Sequence, residues 1–119
     1  YLILENNKKK TDMIFKVDMQ TWEVVAQSEE LPLHHGNGMG YNSKTNQLIV
    51  SHNTGAPYDI SFVDPNTLQI TETKTLDFAI YGITYNDEHD WYAVGISGSS
   101  AFAVISVLIF TLKNSSSDI

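Results

Sequence analysis

The chain has 119 residues, 42% of them hydrophobic, with 14 acidic side chains against 7 basic ones, a formal net charge of −7 and no cysteine. Every cation is a lysine, so the arginine forks that grip phosphate and guanine are missing and nucleic-acid binding is disfavoured. Without cysteine there is neither a disulfide framework nor a thiolate metal site, and the apolar run over residues 101–112 falls short of the ~20 residues a membrane helix needs.

Residues 1–4 form a short apolar run with no helix cap and predict a buried strand, followed by a polar loop over 5–12. Lys8-Lys9-Lys10, the only basic run, reads as a solvated loop tip. Residues 13–17 are rich in β-formers and stop at Asp18-Met19-Gln20-Thr21. A later match, Asp64-Pro65-Asn66-Thr67, carries Asp and Pro at the first two positions of a type I turn, so two strands are expected to meet there as a hairpin. Residues 22–27 predict the strand that follows, and their counterpart over 68–73 alternates apolar and polar as a strand with one wet face does.

Gly36-Asn37-Gly38-Met39-Gly40-Tyr41 places glycine at alternate positions. Glycine weakens a strand, yet it lets another backbone come close. The partner segment over 80–85 keeps only the central Gly82. Polar hairpin loops over 42–46 and 86–90 precede strands over 47–51 and 91–94, and the apolar run near the end reads as a further buried strand. Residues 113–119 are too polar to be ordered by burial and predict a loose tail. In all, about ten short strands are expected and no helix.

These segments repeat. Asp18 falls on Asp64 at 64 − 18 = 46, with Leu2-Ile3-Leu4 placed on Leu48-Ile49-Val50 at the same offset. Val50 falls on Val94 at 94 − 50 = 44, and Val63 on Ile105 at 105 − 63 = 42. A fixed period of this length predicts the four-stranded blades of a β-propeller, in units near 1–33, 34–77 and 78–112. Propellers close with roughly 4 to 8 blades, so the chain holds an incomplete one. The stretch over 37–68, with NGM, YN, KTN, LIVS and DISFVDP in that order, resembles the broad NHL-like, YVTN-like and strictosidine-synthase-like propeller group. That resemblance implies an all-β, antiparallel fold and is nearly silent about activity, because such folds host lactonases, lyases and binding platforms alike.

In such a fold the connections between outer and inner strands share one face with those between second and third strands. That face collects His34, His35 and Asn37, then His52, Asn53, Tyr58 and Asp59, then Asn6, Asn7 and Asp12, and finally Phe78 and Tyr81. Histidine titrates near neutrality and binds metals, so His34 and His35 are the candidate acid/base pair; being adjacent on extended chain, they point to opposite sides. Their bland reading is as loop residues bonding backbone. Tyr41 and Tyr85 recur at equivalent positions, which argues for packing, while Tyr58 and Tyr81 are freer to stack on a ligand.

The leading functional expectation is a non-catalytic binding platform for a carbohydrate or a protein, with His34, Asn37, His52, Asn53, Tyr58, Asp59 and Tyr81 as ligand contacts and no cofactor. The alternative is a lactonase- or lyase-type enzyme using His34 or His35 and a calcium or magnesium ion on Asn37 and Asp59, as gluconolactonase-like propellers imply. Either is compatible with a chain completed by the remaining blades of a longer protein or by self-association, since unpaired strand edges template pairing. Neither nucleic acid nor membrane is an expected partner.

Overall fold

The computed structural model describes residues 1–52, 55, 57–96 and 102–106, the last five by their backbone. Ten strands follow one another: β1 (Leu2–Asn6), β2 (Thr11–Val17), β3 (Val24–Gln27), β4 (Gly38–Asn42), β5 (Gln47–Ser51), β6 (Tyr58–Val63), β7 (Ile70–Leu76), β8 (Ile80–Asn86), β9 (Trp91–Ile96) and β10 (Phe102–Ser106). They form three antiparallel sheets in chain order, β1-β2-β3, β4-β5-β6-β7 and β8-β9-β10. The fold is an all-β propeller, incomplete in this chain. Only the middle sheet has four strands among the described residues.

Strand pairing fixes which positions correspond. Tyr41 faces Leu48 and Tyr85 faces Tyr92, while Leu48 faces Val63 and Tyr92 faces Ile105, so the offsets of 44 and 42 hold between the second and third sheets. The offset of 46 holds for β2 and β3, whose pairing and bulge reappear in β6 and β7. For β1 it does not. Leu2 faces Phe15, whose counterpart is Ser61, and Ser61 faces Val50. Leu2 therefore corresponds to Val50 rather than to Leu48. A slip by two keeps every side chain on its expected face, and the length difference is absorbed by the tighter hairpin between Asn6 and Thr11.

Two further boundaries differ from the sequence reading. The stretch over 5–12 is a loop only in its middle, because Glu5 and Asn6 extend β1 and Thr11 and Asp12 open β2. The turn after Asp64 is wider than a type I turn: the Leu68 amide donates to the Asp64 carbonyl at 2.8 Å, and Leu68 takes φ 58°. The outer strand accordingly starts at Ile70. The same turn recurs at Asp18, where Trp22 donates to the Asp18 carbonyl at 2.8 Å with φ 61°. Residues 113–119, expected to form a tail, lie outside the described residues.

Alternation on the middle sheet builds two cores. Leu48, Val50, Val63 and Leu68 pack with Ile14, Leu31 and Leu33 of the first sheet and the connection after it. Ile49, Ile60, Phe62 and Leu76 pack with Ile80, Ile83, Tyr92 and Val94 of the third. Successive residues of β5 thus feed opposite neighbours, which is why Leu48, Ile49 and Val50 form an unbroken buried apolar run.

The glycine alternation has the packing reason expected of innermost strands. A Cβ on Gly40 would lie 3.1 Å from the Ile83 carbonyl oxygen and 3.3 Å from the Thr84 Cα. Inner strands β4 and β8 therefore approach backbone to backbone.

Candidate functional site

The connection over 28–37 builds the loop face. Ser28 donates its amide to the Ile14 carbonyl at 2.9 Å, and its Oγ accepts the Ile14 amide at 2.9 Å. Asp12 and Leu31 exchange backbone hydrogen bonds at 3.0 and 2.7 Å. The segment thereby stays tied to β2, sinks Leu33 into the core between the first two sheets, and delivers His34 to Asn37 onto the rim.

His34 and His35 part company there. His34 is exposed at φ 60° and stands over His52, with ring centroids 5.5 Å apart. His35 turns toward the first sheet, its Nδ1 2.6 Å from the Glu5 carboxylate. Gly36 follows with its amide donating to Asp12 Oδ1 at 3.1 Å.

Asp12 is buried, and its Oδ2 has no hydrogen-bond partner among the described residues. Burial pushes its pKa above the usual carboxylate value, the Gly36 amide opposes that rise, and the nearby Glu5 charge adds to it.

His52 lies beneath His34, buried at the end of β5. Its amide donates to the Asp59 carbonyl at 3.0 Å, and its Nε2 pairs with Ser61 Oγ at 2.8 Å, which in turn lies 2.8 Å from Thr73 Oγ1. Burial holds its pKa down to about 4, against the pull of Asp59, so the ring is neutral at pH 7. Its Nδ1 is buried without a hydrogen-bond partner among the described residues.

The remaining sequence candidates spread away from this pair. Asn37 donates through Nδ2 to the Tyr81 carbonyl at 3.3 Å, joining the rims of the second and third sheets. The Tyr81 ring itself lies against Gly95 of β9, where a Cβ on that glycine would meet its Cζ at 2.8 Å. Tyr58 packs against the core between the second and third sheets, and Asp59 accepts from Thr75 Oγ1 at 2.6 Å. Asn53 lies outside the described residues.

A hard cation does not fit these side chains. Asn37 and Asp59 turn to separate partners, and among the described residues no group of three or more histidines and carboxylates is placed to hold a metal. The pairing residue that sequence reading missed is Glu5, hidden because it was assigned to a loop. Its cross-strand position opposite Asp12 puts it on the same edge as His35.

No protein-family model matches the chain, and no curated protein matches it. Among solved structures it is similar to a chain of Kuenenia stuttgartiensis hydrazine synthase, with a TM-score of 0.62 and 17% identity over 91% of this chain and 30% of that one. It is also similar to the β-propeller domain of Myceliophteria thermophila Cps50 (Swd1), with a TM-score of 0.49 and 9% identity over 86% of this chain and 37% of that one. At 17% identity the likeness to the hydrazine synthase chain concerns fold alone. The chain spans about a third of the length of either neighbour. The fold class is a β-propeller; the narrower NHL-like, YVTN-like or strictosidine-synthase-like grouping stays a resemblance.

Proposed function

We propose that this propeller segment is a non-catalytic binding platform whose ligand, a carbohydrate or a protein, meets the loop rim bearing His34, His35 and Asn37, with Tyr81 at its far end. The observation that carries the reading is the tilted ring contact of exposed His34 with buried, neutral His52, centroids 5.5 Å apart at 38°. A polar aromatic surface held on a fixed support loses little side-chain freedom when it is covered. His35, Asn37 and Asp59 are committed to internal hydrogen bonds, which suits a rigid recognition surface rather than proton traffic.

The test is a titration of the isotope-labelled chain with cellotetraose, chitotetraose and a peptide library, read by amide chemical shifts. Shifts clustered at residues 34–37 and lost in His34→Ala support the platform. Shifts confined to other positions, or indifferent to His34→Ala, count against it.

One observation favours a second reading. His35 is oriented by a carboxylate at 2.6 Å, the arrangement of a general base with its positioning group. Lactone hydrolysis that requires His35 and Glu5 but not His34 would favour the enzyme over the platform.

A further inference from the structure

The first sheet gives one face to the second sheet and leaves the other open. Leu2 and Leu4 of β1 lie opposite Phe15 and Met13 of β2 on this open face. Leu4, Met13 and Phe15 border a groove of about 180 Å³ there.

The repeat supplies the comparison that decides what this face is for. Pairing makes Leu2 the counterpart of Val50 and Leu4 that of His52, and the shared aspartate turn makes Trp22 the counterpart of Leu68. Leu2 is 56% exposed against 0% for Val50, Leu4 60% against 3% for His52, and Trp22 71% against 2% for Leu68. The third sheet agrees with the second: Val94, the match of Val50 at 50 + 44 = 94, is 2% exposed. Backbone conformation does not separate the pairs, because Trp22 and Leu68 share both φ and hydrogen bond. Cover separates them. The second sheet is covered by the first; the first is covered by nothing among the described residues.

We propose that this open face is a docking surface for a further four-stranded propeller blade from outside the 119 residues. The interface continues the two already present in the chain, and its apolar contacts are Leu2, Leu4, Phe15 and Trp22.

A second copy of the chain is the poorer occupant. It would have to bring the face of its third sheet that the described residues leave open, where Gly82 sits at the position of Gly38, 38 + 44 = 82. A Cβ on Gly38 would meet Gly82 Cα at 2.9 Å, whereas the same position on Gly82 has nothing within 4 Å among the described residues. Gly82 and Tyr81 border a hollow of about 380 Å³ that an inner strand would fill. Among the described residues the first sheet has no counterpart of β4, since β1 corresponds to β5. Two copies set end to end would leave that hollow empty, because neither supplies the inner strand the first sheet lacks; a preceding blade whose chain continues into that inner strand would fill it.

The four apolar contacts are none of the rim residues His34, His35 and Asn37, although Glu5, which pairs with His35, borders the same groove. Docking here and ligand binding there therefore stand or fall separately.

The test uses Trp22 as the single indole, in a Trp91→Phe background. In the 119-residue chain its fluorescence is expected to be freely quenched by acrylamide at every protein concentration. A chain with a duplicate of residues 34–92, also carrying Trp91→Phe, placed ahead of Tyr1 supplies a complete blade and an inner strand. The register then puts Tyr1 where Ala93 stands. In that extended chain Trp22 emission should shift to the blue and its quenching constant fall several-fold. Leu4→Glu should leave the melting temperature of the 119-residue chain unchanged, because Leu4 is exposed there, yet restore full quenching in the extended one. Trp22 equally quenchable in both chains, with both folded by circular dichroism, overturns the proposal. Protection of Trp22 in the 119-residue chain that grows with concentration also overturns it, in favour of a second copy.

Discussion

Gly38 and Gly82 meet across the seam between the second and third sheets: a Cβ on Gly38 would lie 2.9 Å from the Gly82 Cα and 2.8 Å from the Tyr81 carbonyl oxygen. Backbone atoms cannot step aside as a side-chain tip can. Gly38→Ala should therefore destabilise the fold by about 1–3 kcal/mol through overpacking. Gly82→Ala meets no atom within 4 Å among the described residues. It should be neutral or gain up to about 1 kcal/mol, because alanine has less backbone freedom to lose in a strand. Urea midpoints of the two variants check the contrast, and equal losses would refute the seam.

Strands, their grouping and the purpose of the glycines were legible in the sequence because each leaves a periodic trace. Leu48-Ile49-Val50 is unbroken and apolar since β5 is buried on both faces, and Asp18 and Asp64 mark one turn twice. Leu2 misled the register because apolar residues recur at every position of that run, so Leu48 and Val50 match it equally well. Only pairing with Phe15 decides. The site was less legible for a similar reason. His35 and Glu5 are 30 residues apart and meet across two sheet rims, a contact with no period. Tyr81 was grouped with the histidines by loop position, while its ring lies against Gly95 of β9.

Asn42 ties a hairpin loop to the neighbouring sheet. It is fully buried, its Oδ1 accepts the amides of Lys44 and Thr45 at 3.0 and 3.1 Å, and its Nδ2 donates to the Tyr92 phenol oxygen at 2.7 Å. Asn86, its counterpart at 42 + 44 = 86, is exposed and bonds within its own loop. Asn42→Ala strips two part-buried amides and the buried Tyr92 phenol of a partner, and should cost about 1–3 kcal/mol. Asn86→Ala should cost under about 1 kcal/mol. Thermal unfolding of the pair measures the difference.

Asp12 holds a charge that folding opposes. Its pKa is raised in the folded chain, mainly by burial, so above the ordinary value the unfolded chain gives up its proton first. Stability from this group is present at low pH and lost as pH rises through the folded value. Asp12→Asn keeps an acceptor for the Gly36 amide and removes the charge. The variant should be more stable than wild type at pH 7 by about 1 kcal/mol and no more stable at pH 3. A loss at pH 7 would mean that the carboxylate is stabilised by groups near His35 after all.

His52 produces the opposite slope. Its pKa falls from 6.5 to about 4 on folding because the buried ring cannot be charged cheaply beside His34. Between those values the unfolded chain binds a proton that the folded chain refuses, so the unfolded state gains as pH drops. Stability is full above pH 6.5, declines through the interval, and is lower by about 3 kcal/mol at its foot, at about 1.4 kcal/mol per pH unit. His52→Gln can still bond Ser61 but has no titrating ring, so its stability should lack this decline whatever its absolute value. Urea midpoints of both proteins at pH 7.5, 6, 5 and 4.5 give the difference curve. A curve flat across that range would show that His52 takes up its proton as readily folded as unfolded, and the buried neutral support beneath His34 would have to be abandoned.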